Sequence, residues 1–270
     1  MQVKVAAIQM VSAPEVAANL ATAERLITQA AEEGAEIALL PEYFCLMGRR
    51  DTDKVDCKEA PGGPIQAYLA ECARRHRITI IGGTVPTLSP KAGKVLNTCP
   101  VYGPDGGLIA RYDKIHLFGF KRGDETFDEA ATLTPGRTPV VCNLPTAAGP
   151  LLRTGLSICY DLRFPELYRQ MSPVDLIVVP SAFTYTTGQA HWELLLRARA
   201  VENQCYVLAA AQGGIHATGR RTWGHSMLVD PWGEIKAVLP EGEGVICGVV
   251  AADRIAEVRT SLPALSHRVL

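Results

Sequence analysis

Short, mostly apolar runs recur along the chain, separated by stretches with helical repeats, and this interleaving limits the folds open to it. The runs "EIALL", "ITIIGG" and "DLIVVP" have the length of buried strands and fall short of buried helices. A strand is also expected at roughly 3–9. In the segment "PEVAANLATAERLITQAAEEG" that follows, Val16, Leu20, Ala23, Ile27 and Ala30 recur at three- and four-residue steps before Gly34 closes it. A second helix is expected over 65–76. Strands near 95–102 and 108–113 are joined by "GPDGG", a hairpin signal.

From Lys114 to Pro139 the chain is polar, glycine-bearing and weakly periodic. It reads as one long loop, and loops of that length in compact domains are often functional. Strands follow near 139–144 and 151–158, then a helix over about 164–171 and the strand "DLIVVP". After a helix over about 188–203 come strands near 205–210, 225–230, 234–238 and 244–251, and a short helical tail. With no proline- or serine-rich linker, the expectation is one α/β domain over 1–270. The late cluster of strands points to two packed sheets.

Composition removes several classes of function. The formal net charge is −1 with no long basic run, so no nucleic-acid partner is expected. No apolar stretch approaches a membrane span, so no membrane partner is expected either. The opening "MQVKVAAIQM" alternates like a strand and lacks a secretory core, which suggests a cytoplasmic protein. The eight cysteines show neither paired spacing nor a C-x-x-C. Reduced thiols packed as small hydrophobes, one of them reactive, fit best, and no metal site is expected.

Three residues with reactive side chains share one placement. Glu42 follows "EIALL", Lys114 follows "GLIARYD", and Cys159 ends "LLRTGLSI". Sites in α/β folds gather beyond strand ends, so a carboxylate, an ammonium and a thiol can converge there. Glu42 can then serve as base, and Lys114 can stabilise a thiolate and an oxyanion. A strand breaking directly into a helix at Cys159 would project the thiol, with Pro165 in the helix's first turn. The N–H of Tyr160, or one just beyond, can complete an oxyanion site. Each residue also has a plainer reading: core packing for Cys159, a helix-start acid for Glu42, a solvated strand end for Lys114. His116, His191 and His225 leave a Cys–His arrangement open.

The segments "VAAIQM", "LLPEYF", "YDKIHLF", "ICYDLRFPE", "SAFTYTTGQAHWELLLRARAVENQCYV" and "WGHSMLVDPWGE" run in order across almost the whole chain. Together they resemble the nitrilase, or carbon–nitrogen hydrolase, superfamily. The resemblance implies a four-layer αββα sandwich of two packed mixed sheets, with subunits pairing as homodimers or higher homo-oligomers. It assigns Glu42 as general base, Cys159 as nucleophile, Lys114 as stabiliser of the tetrahedral intermediate and Glu129 as a second glutamate positioning the lysine or water. No cofactor is implied, and the histidines become structural.

"CYDLRFPE" and "TGQAHWELLLRARAVENQCYV" are most similar to the branch of deaminated-glutathione amidases and ω-amidases. The implied substrate is a small carboxylate-bearing amide, hydrolysed through a thioester. Deaminated glutathione is favoured over the smaller ω-amides, and N-carbamoyl amino acids or nitriles are the alternatives within the superfamily. Arg163 is implied as partner of the substrate carboxylate, in place of a surface ion pair with Glu166, and Thr187 as a donor at the same end. In the lysine loop, "GFKRGDETFDEA" departs from the branch pattern. Its Lys121 and Arg122 either reach a longer anionic substrate or form a solvated face.

Overall fold

The structure, a computed structural model, describes residues 1–123 and 125–269. Residues 124, within the expected long loop, and 270, at the far end of the expected domain, lie outside it. The first sheet runs Gly244–Ala251, Gln2–Gln9, Ile37–Leu39, Thr79–Ile81, Val95–Tyr102 and Val85–Leu88, with Leu108–Asp113 also paired to Val95–Tyr102. The second runs Ile235–Leu239, Ser226–Val229, Tyr206–Ala211, Leu176–Ser181, Leu152–Leu156 and Val140–Leu144. Both are mixed. Gln2–Gln9 is parallel to Ile37–Leu39 and antiparallel to Gly244–Ala251, and Leu152–Leu156 has one neighbour of each kind.

The helices are α1 (Val16–Glu32), α2 (Asp53–Asp56), α3 (Pro64–His76), α4 (Pro165–Met171), α5 (Tyr185–Asn203) and α6 (Ala252–Ser261). Side-chain alternation along the first strand assigns them to layers. Val3, Val5 and Ala7 join the core shared with the second sheet, while Ala6 and Ile8 join the core under α1 and α3. Leu26 and Ile27 of α1 and Leu69 and Cys72 of α3 fill that outer core. On the far side, Tyr168 of α4 and Trp192 and Leu196 of α5 cover the second sheet. The result is the expected αββα sandwich. Among the described residues no helix is long and apolar enough to cross a membrane.

Local chemistry explains where the helices begin and end. Pro64 opens α3, and the Glu59 carboxylate accepts the Ile65 N–H at 2.6 Å and the Gln66 N–H at 3.2 Å. Arg74, Arg75 and His76 fill its last turn, and Arg77 ends it at φ 55°. The α5 helix begins at Tyr185, earlier than expected, because Thr184 caps it by accepting the Thr187 N–H. Its Trp192 indole N–H donates to the His225 carbonyl at 2.8 Å, pinning it to the loop before the strand Ser226–Val229.

The expected single loop from Lys114 to Pro139 contains a hairpin, Gly119–Arg122 with Glu125–Asp128, and a 3-10 turn, Glu129–Ala131. The hairpin lies almost wholly at the surface, so no buried face imposes a period-two pattern on its sequence. Two further elements go beyond the sequence expectation. Val85–Leu88 is an edge strand whose Pro86 disguises it, and Gly213–Ile215 with Arg221–Trp223 is a glycine-rich hairpin. All eight cysteines are free.

One backbone crossing bears directly on the site. Gly83 sits at φ 54°, and a Cβ built there would lie 2.2 Å from the Pro41 carbonyl oxygen, next to Glu42. Gly83→Ala is therefore expected to lower the unfolding free energy by about 3 kcal/mol in chemical denaturation. Activity should fall further than stability explains, because Pro41 must move.

Candidate active site

Glu42 lies just past Ile37–Leu39, Lys114 directly follows Leu108–Asp113, and Cys159 lies just past Leu152–Leu156. The first two therefore come from one sheet and the third from the other, and they meet where the two sheets end together. Lys114 is fully buried, and its ammonium donates to Glu42 Oε1 at 2.8 Å, Glu129 Oε1 at 3.0 Å and Glu129 Oε2 at 2.8 Å. Glu42 also accepts from Asn97 Nδ2 at 2.9 Å and from the Ala182 N–H at 3.0 Å. Glu129 accepts the Tyr43 hydroxyl at 2.9 Å and the Phe118 N–H at 2.7 Å. Each carboxylate is thereby held by hydrogen bonds from two directions besides Lys114.

The charges decide the protonation pattern. Burial alone would lower the Lys114 ammonium, but Glu129 and Glu42 outweigh it and hold it well above the ordinary lysine value. Burial raises the Glu129 carboxyl, yet the charge and hydrogen bonds of Lys114 bring it below the usual value. The Cys159 thiol is pushed well above its ordinary value, first by burial and then by the Glu42 charge, with Lys114 opposing. The resting site thus holds a neutral thiol beside a carboxylate able to take its proton.

The turn at Cys159 is built around Asp161. Cys159 opens a 3-10 turn, Cys159–Arg163, at φ 48°, a left-handed conformation uncommon for a residue with a side chain. The elbow therefore passes through this 3-10 turn before α4, instead of entering the helix directly. Fully buried Asp161 accepts the Ile158 N–H at 2.9 Å, the Tyr112 hydroxyl at 2.7 Å and the His116 N–H at 3.0 Å. These bonds lock the turn to the segment carrying Lys114. The first N–H groups of such a turn, Tyr160 among them, lack partners within it and can receive an oxyanion.

Cys159 opens onto a narrow cleft of about 210 Å³ lined by Phe118, Tyr160, Arg163, Phe183 and Thr187. The Arg163 guanidinium lies 5.4 Å from the Phe183 ring centroid and 5.8 Å from that of Tyr160. No ion pair joins it to Glu166 or to any other described acid, and its side-chain contact is His191 Nδ1 at 3.3 Å. Thr187 is buried, its hydroxyl 2.8 Å from that of Thr184. His116 stacks on Phe164 and His225 on Trp223, and with His191 they stay outside this cleft. Lys121 and Arg122 are exposed on the hairpin and line neither this cleft nor the one beside Glu129.

Tyr43, Asn97, Asp161 and the Ala182 N–H are the participants that sequence reasoning missed. Tyr43 and Asp161 stood inside the quoted segments, one residue from Glu42 and two from Cys159, and that closeness was their only signal. Asn97, on a strand, and Ala182, just past one, reach Glu42 from 55 and 140 residues away, which no spacing rule foretells.

The family model for carbon–nitrogen hydrolases matches residues 4–260. The chain belongs to the carbon–nitrogen hydrolase family. It is 43% identical over 268 residues to a deaminated glutathione amidase of Synechocystis, covering 98% of this chain and 97% of that one. It is 41% identical over 254 residues to omega-amidase NIT2 of Homo sapiens, covering 93% and 89%. The crystal structure of the C. elegans NitFhit protein superposes with a TM-score of 0.89 at 37% identity, covering 99% of this chain and 65% of that longer one. As a carbon–nitrogen hydrolase, the protein is an enzyme that cleaves carbon–nitrogen bonds by adding water.

The electrostatics give a sign that can be measured. Glu42→Gln removes the charge that raises the Cys159 thiol and leaves Lys114 in place, so the thiol should ionise at lower pH. Iodoacetamide labelling of the Cys159 peptide, followed by mass spectrometry across pH, should show its half-maximal rate displaced downward in the variant.

Proposed function

We propose that the protein is a cysteine amidase acting on small amides whose acyl half carries a carboxylate, of the deaminated-glutathione type. The observation that carries this reading is Arg163, a guanidinium with no described acid partner, facing the same narrow cleft as Cys159. A fork of N–H donors suits a carboxylate, and the flanking rings keep it extended. The near full-length likeness to the Synechocystis amidase supports the substrate class. The likeness to omega-amidase NIT2 supports turnover of primary amides with the same kind of acyl half.

Glu42 takes the thiol proton as Cys159 Sγ attacks the amide carbon, and the carbonyl becomes an oxyanion held by the Lys114 ammonium and the Tyr160 N–H. Collapse breaks the C–N bond, and Glu42 passes its proton to the departing amine. Water, deprotonated by Glu42, then adds to the thioester carbon. Collapse expels the thiolate, which recovers the proton, and the acid leaves. Glu129, bonded to Lys114, Tyr43 and the Phe118 N–H, keeps the ammonium aimed through both additions.

Two outcomes are expected. Mass spectrometry of the enzyme mixed with a keto-acid amide should find an acyl adduct on the peptide containing Cys159. In Cys159→Ala that adduct should vanish and turnover should fall to about a thousandth or less. Arg163→Gln should raise KM for amides with an acyl-side carboxylate by about tenfold, the size of one lost charged contact, and by less for a neutral amide. Equal effects on both would remove the carboxylate role.

A further inference from the structure

Beside the narrow cleft lies a second, wider opening whose cations have no assigned work. Phe118 is common to both walls, and beyond it the lining includes Tyr43, Lys54, Phe127, Glu129 and Arg220. The space continues outward into a groove of about 1150 Å³ bordered by Arg220 and Tyr185. Arg220 stands at the junction. One Nη approaches the Ala182 carbonyl at 3.5 Å, and it is the Ala182 N–H that holds Glu42. The other lies 3.7 Å from Met47 Sδ, and the guanidinium carbon is 5.4 Å from the Phe127 ring centroid.

Arg220 is poorly satisfied for a guanidinium. Its Nε is buried without a hydrogen-bond partner, and it forms no ion pair with a described acid. An unpaired buried donor is costly enough to require an explanation. Nor is its position loose. It is carried by the turn between Gly213–Ile215 and Arg221–Trp223, where buried His216 is held by the Ser12 carbonyl at 2.9 Å and the Thr222 hydroxyl at 2.8 Å. Across the opening, Lys54 of α2 lies 5.4 Å from the Tyr43 ring centroid, also without an ion pair among the described residues. Its burial lowers the ammonium.

The acids nearby form no ion pair with these two cations, although Glu129 and Asp51 act on Lys54 through their charge and Glu125 of the groove accepts from the Thr186 hydroxyl. Glu129 is engaged by Lys114, Asp128 accepts the Ala130 N–H, and exposed Asp51 lies on the rim. The remaining arginines of the groove are occupied: Arg49 with Glu15, Arg50 with Asp53, and Arg221 with Glu241.

We infer that Arg220 and Lys54 form a second anion site, which binds a carboxylate on the amine half of the substrate. This rests on the amidase reading, which fixes the direction. The acyl half occupies the narrow cleft with Arg163, and the amine must leave on the side of Glu42, which returns the proton. That side opens past Tyr43 and Glu129 toward Arg220 and Lys54. An amide with carboxylates on both halves is thus gripped at both ends, with the scissile bond held over Cys159. A primary amide engages only the first grip. The cations that select the longer substrate are therefore these two, not Lys121 and Arg122.

The test compares twin substrates with the same keto-acid acyl half. Their amine halves are a glycine-ended dipeptide and its C-terminal carboxamide. The wild type should favour the free acid in kcat/KM, and Arg220→Gln or Lys54→Met should reduce that preference about tenfold. Arg220→Lys should keep most of it, while Arg163→Gln should weaken both twins alike. A preference unchanged in both variants overturns the second site. If the wild type hydrolyses neither twin, the amidase reading fails by itself, and a measurement without turnover decides the site. The free dipeptide should slow iodoacetamide labelling of Cys159 where its carboxamide does not, and Arg220→Gln should abolish that protection. Absent protection, or protection equal in wild type and variant, overturns the inference.

Discussion

A lysine ammonium with no exposed surface is the constraint around which this molecule is arranged. Moving such a charge out of water costs several kcal/mol even after relaxation, so Lys114 can be buried only if anions meet it with good geometry. Those anions, Glu42 and Glu129, come from opposite sides of it in sequence and would repel each other without it. Each needs its own donors: Asn97 and Ala182 for Glu42, Tyr43 and Phe118 for Glu129. Asn97 comes from the first sheet, and Ala182 follows the strand Leu176–Ser181 of the second. Satisfying one buried cation therefore fixes how the sheet ends meet. Breaking any partner leaves a charge stranded in the interior, the costliest single failure open to this fold.

The same economy of position appears at Cys159. Asp161 uses its oxygens to join the Cys159 turn to Tyr112 and His116, on either side of Lys114. Strain at Cys159 is held in place by these bonds, so the thiol and the ammonium move as one body. The cleft at Cys159 is narrow, and the groove beyond Glu129 is wide.

Legibility in the sequence followed burial. Strands buried on both faces, such as Leu176–Ser181, announce themselves as apolar runs, and the amphipathic α1 shows its repeat. Strands of that buried kind precede Glu42 and Cys159, while Lys114 follows the less buried Leu108–Asp113, marked by the hairpin signal before it, and so the placement of these three residues could be read. The hairpin at Gly119–Arg122 escaped because exposed strands need no pattern, and Val85–Leu88 because it is a short edge strand interrupted by Pro86. Lys121 and Arg122 looked relevant by closeness in sequence to Lys114, yet the strand carries them to solvent. Arg220 and Lys54 carried no signal at all: each lies in an ordinary polar stretch and gains meaning only from what folds beside it.

All eight thiols share one property that reaches past catalysis. Burial leads the upward displacement of Cys45, Cys57, Cys72, Cys99, Cys142, Cys159, Cys205 and Cys247 alike. Peroxide and other electrophiles react with the thiolate, the form that burial disfavours at each of these positions. Many cysteine enzymes keep their nucleophile ionised and must be protected by a reductant. Here burial, and after it the Glu42 charge, disfavours the thiolate at Cys159, so the form that oxidants attack is the one this site holds back.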